Sequence, residues 1–145
     1  MKKIILALLL IAGIGLSVSA RDKYSRDPNV LPLAARTALK NNFKGKISVI
    51  KIDKDFGRIS DYEVVLTDGS EVKFDNKGNW KEIESSPNSS VPTKMVPQAI
   101  TDYVKANQRK ARIIGIEKDR NGYEVELSNG LDMKFDSRGR FLKYD

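Results

Sequence analysis

Histidine and cysteine are both absent from the 145 residues. Their absence removes the usual general base at neutral pH, the usual imidazole metal ligand and any thiolate nucleophile. Carboxylates, hydroxyls and amines remain. Two carboxylate pairs stand two residues apart, Asp53/Asp55 and Glu82/Glu84. On a strand each pair shares a face, so one member could serve as acid and the other as base. A solvated strand edge or turn is the commoner setting for such pairs. Asp53-Lys54-Asp55 and Asp119-Arg120-Asn121-Gly122 have the opening of a calcium loop, but neither continues to the full ligand series and terminal glutamate. Serines fall mostly in turns and in one linker-like stretch, with no base in view. The sequence therefore predicts neither enzyme activity nor a cofactor or metal site.

The elements around these residues begin with an export signal. Met1-Lys2-Lys3 precedes an apolar run from Ile4 to about Val18, and Val18-Ser19-Ala20 supplies the small residues of a cleavage site. Residues 1–20 are read as a signal peptide. The run is shorter than the roughly 20 residues of a spanning helix, and no cysteine follows it for lipid attachment. No membrane span is expected after cleavage, and the protein is placed in the periplasm or outside the cell. The formal charge is +7, and loss of Lys2 and Lys3 would leave +5. Nucleic acid is not an expected partner for an exported chain. The basic balance suits solubility or attraction to an acidic envelope surface.

A duplication organises the rest. Tyr62-Glu63-Val64-Val65-Leu66-Thr67-Asp68-Gly69 is answered by Tyr123-Glu124-Val125-Glu126-Leu127-Ser128-Asn129-Gly130. Without a gap, nine of 23 positions match between Tyr62–Glu84 and Tyr123–Asp145, far above chance. Leu31-Pro32 matches Val96-Pro97, each opening a helical pattern with proline in the first turn. Ile50 and Ile52 are matched to Ile114 and Ile116. Residues 21–84 and 94–145 read as two repeat units, and 85–93 as a Ser/Pro linker. Each unit is a helix followed by four antiparallel strands. A unit of this size has a marginal core by itself. The fold class is therefore α+β, most simply one eight-stranded sheet with both helices on one face, two half-sheets being the alternative.

Alternation sets the register. A three-residue loop Thr67-Asp68-Gly69 pairs Val64 with Val72 and Tyr62 with Phe74, and the second unit follows with Val125/Met133 and Tyr123/Phe135. A two-residue loop would mix apolar and charged side chains on both faces. Trp80 then lies beside Phe74, and Phe141 beside Phe135. Strict alternation puts Glu63, Val65, Glu71, Lys73, Lys81 and Ile83 on the face away from the helices. Glu124, Glu126, Lys134, Leu142 and Tyr144 join them. Val65, Ile83, Leu142 and Tyr144 would form an apolar interaction patch flanked by Lys73, Lys81 and Lys134. Phe56, near a loop tip, either folds back on the core or binds a partner. Lys105, Arg109, Lys110 and Arg112 form a basic cluster near the end of the second helix.

The helix starts, the Tyr-Glu-Val strands and the hairpin ends Phe74-Asp75-Asn76-Lys77-Gly78-Asn79-Trp80 and Phe135-Asp136-Ser137-Arg138-Gly139-Arg140-Phe141 resemble the beta-lactamase-inhibitor-like, PepSY-like family of bacterial envelope proteins. The resemblance covers nearly all of the chain after the signal. It implies an eight-stranded antiparallel sheet, two helices on one face and a non-enzymatic binding role. No inhibitory residue carries over position by position. The expected function is a periplasmic protein-binding module, an inhibitor or modulator of an envelope enzyme, acting through the open sheet face. The alternative is a binder of a small ligand or an anionic envelope polymer.

Overall fold

The computed structural model describes residues 23–145, and the expected signal peptide lies outside them. Nine strands form one antiparallel meander, each paired with the next in sequence. The order is β1 (Lys23–Ser25), α1 (Leu33–Asn42), β2 (Ile47–Asp55), β3 (Arg58–Leu66), β4 (Glu71–Asp75) and β5 (Trp80–Glu84). Then come α2 (Gln98–Asn107), β6 (Ile113–Lys118), β7 (Gly122–Leu127), β8 (Asp132–Asp136) and β9 (Phe141–Tyr144). The expectation of eight strands falls short by one. Lys23–Ser25 adds an edge strand to β2, with Tyr24 opposite Lys51. Three residues carry too short an alternation to be read as a strand from sequence.

Both helices begin one residue later than the proline pattern implied. Pro32 and Pro97 are the N-caps rather than first-turn residues, with extended backbone (ψ 149° and 136°). Proline tolerates this position because its missing N–H would have no partner there. At the other ends, Asn42 Nδ2 donates to the Ala38 carbonyl and Asn107 Nδ2 to that of Tyr103, both at 2.9 Å.

The hairpin register is the one alternation selected: Val64 faces Val72, Tyr62 faces Phe74, Val125 faces Met133 and Tyr123 faces Phe135. At the join of β5 to β6, Ile83 pairs with Ile116. An apolar row then crosses eight strands without interruption: Ile50, Val64, Val72, Ile83, Ile116, Val125, Met133 and Tyr144. Ala35 and Leu39 of α1 and Ile100 and Val104 of α2 are buried in one core with the residues of this row that precede Tyr144. An aromatic group lies alongside, with Tyr103 of α2 stacked on Phe141 at 4.6 Å and edge-on to Phe135 at 5.8 Å. Such contacts add to plain area burial.

One repeat equivalence needs correction. Ile50 pairs with Val64 and Ile116 with Val125, so Ile116 corresponds to Ile50. Ile114 sits in a register shift, and Lys118 takes the place of Ile52. The Lys118 ammonium lies 5.9 Å from the Trp80 ring centroid, a cation–π distance.

Two hairpin glycines, Gly78 and Gly139, sit tight against the helices, and a Cβ at Gly139 would come within 3.1 Å of Ala99 Cβ on α2. Gly78 has φ +89°, and a Cβ there would come within 2.9 Å of Ala35 N and Pro32 Cβ. Gly57 also has positive φ (+76°) but has nothing within 4 Å of a Cβ. Gly57→Ala should cost roughly 1–2 kcal/mol, the backbone strain alone. Gly78→Ala adds overpacking against α1 and should cost about 1–3 kcal/mol more. Urea unfolding of the two variants measures the difference; equal losses would refute the clamp.

Candidate functional site: the open face of the sheet

The face opposite the helices is charged from strand to strand. Its central row runs Lys51, Glu63, Lys73, Glu82, Glu117, Glu124, Lys134, Lys143 from β2 to β9. The neighbouring row runs Val49, Val65, Glu71, Glu84, Gly115, Glu126, Asp132. Lysines occupy the flanking strands, while β5, β6 and β7 contribute Glu82, Glu84, Glu117, Glu124 and Glu126. Gly115 leaves a place without a side chain in their midst.

The flanking charges pair. Glu63 takes Lys51 at 3.4 Å and Lys73 at 3.9 Å, and Lys134 takes Asp145 at 3.3 Å. Cross-strand pairs of this kind, here partly buried, set register more than they stabilise. Toward the centre carboxylates crowd one another. Burial, then the charges of Glu84 and Glu63, pushes Glu71 up to about 7. Burial, then Glu117 among its neighbours, brings Glu82 to about 7. Glu84 is raised by burial and by Glu126. Among the described residues, Glu71 Oε2 is buried with no hydrogen-bond partner.

The apolar patch predicted for this face is not there. Ile83 faces Val72 in the core and is 1% exposed. Tyr144 pairs with Met133 on the helix side, and its hydroxyl accepts from Gln108 Nε2 at 3.0 Å. The cause is a bulge in each unit. Phe74 faces Trp80 but Lys73 faces Glu82, so Lys81 is an extra residue; Phe135 faces Phe141 but Lys134 faces Lys143, so Leu142 is extra. One inserted residue turns over every side chain beyond it. The sequence does carry a signal for this. Trp80 and Ile83, like Phe141 and Tyr144, stand three apart rather than two.

The remaining predicted residues are dispersed. Val65 lies on the open face beside Val49 and Glu71. Lys73 and Lys134 sit there in the charged row. The Lys81 ammonium binds Asp61 at 2.9 Å, and Leu142 is exposed at its bulge. Phe56 does not fold back on the core. It stands fully exposed at the β2–β3 tip with φ 49°, whereas Ile59 packs on the core. Lys105, Arg109, Lys110 and Arg112 are all exposed, and Arg112 Nε donates to the Ser89 carbonyl at 3.2 Å.

Of the two calcium-like stretches, Asp119–Gly122 is the β6–β7 hairpin turn and Asp53–Asp55 is the end of strand β2. Asp119 Oδ1 accepts the N–H groups of Asn121 and Gly122 at 2.7 and 3.1 Å, and Asp53 pairs with Lys51 at 3.1 Å. Among the described residues no three carboxylates are grouped to hold a metal ion, and no helix is long and apolar enough to cross a membrane.

An antiparallel sheet with two helices on one face and a charged open face defines a small α+β protein of the PepSY-like class. Residues 60–143 match the family described as "Putative beta-lactamase-inhibitor-like, PepSY-like", and the chain belongs to this family. A periplasmic protein of unknown function from Bacteroides vulgatus is 45% identical, with TM-score 0.80, covering 86% of this chain and 98% of its own. A "putative calcium-regulated periplasmic protein" from Bacteroides thetaiotaomicron is 37% identical, with TM-score 0.79 and coverage of 86% and 96%. A second Bacteroides vulgatus periplasmic protein is 36% identical, with TM-score 0.79 and coverage of 88% and 99%. Among curated proteins none matches this chain significantly.

Two outcomes follow for this face. Ile83→Asp should cost several kcal/mol by burying an unpaired charge, while Leu142→Asp should change stability by less than about 0.5 kcal/mol. Thermal melts decide, and a destabilised Leu142→Asp protein would reverse the face assignment. The second concerns pH. Glu71 and Glu82 have native pKa values near 7, raised from 4.5. Between those limits the native state binds more protons than the unfolded chain, so stability rises as pH falls. The gain is complete below the unfolded value and is lost as pH rises through about 7. The melting temperature should therefore rise by a few degrees from pH 8 to pH 5.5. Glu71→Gln with Glu82→Gln should remove most of that rise, and a fall in melting temperature over this range would refute it.

Proposed function

We propose that the protein is a non-catalytic periplasmic binding module whose open sheet face docks a basic segment of another envelope protein. The observation that carries this reading is the clustering of five glutamates on β5–β7 around Gly115, with the lysines of both rows on the flanking strands and Lys81 of β5 drawn away to Asp61. Nothing from the two helices covers this face, which is the usual condition of an antiparallel sheet packed on one side. Burial raises these carboxylates most and mutual repulsion adds to it, and an approaching cation offsets the repulsive part. Arginine suits such a surface best, since its fork engages carboxylates two at a time. Modulation of an envelope enzyme is the form of this role that the family name supports.

An anionic polymer is disfavoured on this face by the same charges. Calcium is the second reading, supported by the crowded carboxylates and by the description of the Bacteroides thetaiotaomicron relative. Docking takes precedence because the described residues offer no preformed metal group.

The test is titration with an arginine-rich decapeptide at low salt, followed by NMR. Shifts should concentrate on β5–β7, and Glu84→Lys with Glu126→Lys should weaken binding by at least about tenfold. Raising salt should weaken it as well. Calcium that binds at micromolar levels and abolishes peptide binding would favour the second reading. Peptide shifts confined to the helices, or unaltered by the charge reversals, would sink the proposal.

A further inference from the structure

At the opposite corner, the C-terminal half of α1 overhangs the start of β2 and leaves a groove of about 510 Å³. Its floor is apolar, with Leu39 buried and Phe43 half-buried. Four cations line it: Arg26 after β1, Arg36 and Lys40 on α1, and Lys46 before β2. Among the described residues no carboxylate lines it. Among the described residues none of the four forms an ion pair. Arg36 Nε is buried and lacks a hydrogen-bond partner, while its Nη1 reaches Asn29 Oδ1 at 3.4 Å.

Complementing the helix dipole accounts for Lys40, in the last turn of α1. It does not account for Arg26 and Lys46, which arrive from other segments, nor for a buried guanidinium N–H with no acceptor. The second repeat supplies an internal comparison. Phe43 and Gln108 hold the same C-cap position, and Arg36 and Thr101 both stand four residues after the N-cap proline. Gln108 bonds the Tyr144 hydroxyl at 3.0 Å and Asn129 Nδ2 at 3.2 Å, and the groove left at that corner is smaller, about 330 Å³, and lined mainly by polar side chains such as Asn107, Gln108, Lys110 and Asn129. The corner at α1 has diverged to an open apolar floor and a cationic rim.

We infer that this groove binds an amphiphilic carboxylate, an acyl chain with one anionic head. The rim supplies charge-assisted donors for the head, and the floor takes the chain. The volume is that of a small-molecule site rather than a long peptide channel. The site is separate from the open face and does not depend on docking there.

The experiment is calorimetric and NMR titration of the purified protein with dodecanoate, with acetate as the head alone and dodecyl maltoside as an uncharged chain. One-to-one binding below about 1 mM is expected, with shifts centred on Leu39 and Phe43. Arg36→Gln and Lys46→Gln should each weaken it by about tenfold or more, and Arg36→Lys should recover part of the loss. Melting curves would show each variant folded. Three results would overturn the inference: no saturable dodecanoate binding, equal affinity in the folded glutamine variants, or shifts on the sheet's open face. An acidic peptide that fills the groove where dodecanoate does not would overturn the acyl assignment in favour of a protein ligand.

Discussion

The pairing of Ile83 with Ile116 is the contact on which the rest of the molecule depends. It joins the strands that follow α1 to those that follow α2, and it aligns their apolar rows into one. Without it each half would offer a small core under one helix, and cores of that size are marginal. The chain has no cysteine to staple them. The join also decides the other face. When Ile83 turns toward the helices, Glu82 and Glu84 must turn away from them. The glutamates of β5 then meet those of β6 and β7.

The bulges make that pairing possible. Lys81 and Leu142 are each accommodated as an extra residue, which lets Trp80 and Ile83, or Phe141 and Tyr144, share one side. Core and charged face are therefore two consequences of one register. Burial first, and neighbouring carboxylates second, raise Glu71 and Glu82 at and beside the acidic centre.

The two halves of the sheet also differ at their corners. Gln108, Tyr144 and Asn129 are bonded together at the corner under α2, whereas the α1 corner keeps an apolar floor and a rim of four cations. Lys118 replaces a core isoleucine and lies against Trp80. The two ends of one sheet thus present different surfaces.

Residue order by itself determined the α+β class, the two helices, the three-residue hairpin loops and the core pairs Val64/Val72, Val125/Met133 and Tyr62/Phe74. These follow from periodicity and from the cost of exposing apolar side chains, both local properties. The lack of histidine and cysteine was equally legible. Only the tertiary structure decided the faces of Ile83 and Tyr144, the ninth strand and the acidic centre. A bulge is set by what lies across from a strand, and Ile83 finds its partner Ile116 33 residues later in the chain. Alternation read along one strand carries no information about that partner. The groove under α1 was hidden for the same reason, since Arg26, Arg36 and Lys46 are brought together by the packing of α1 on the sheet.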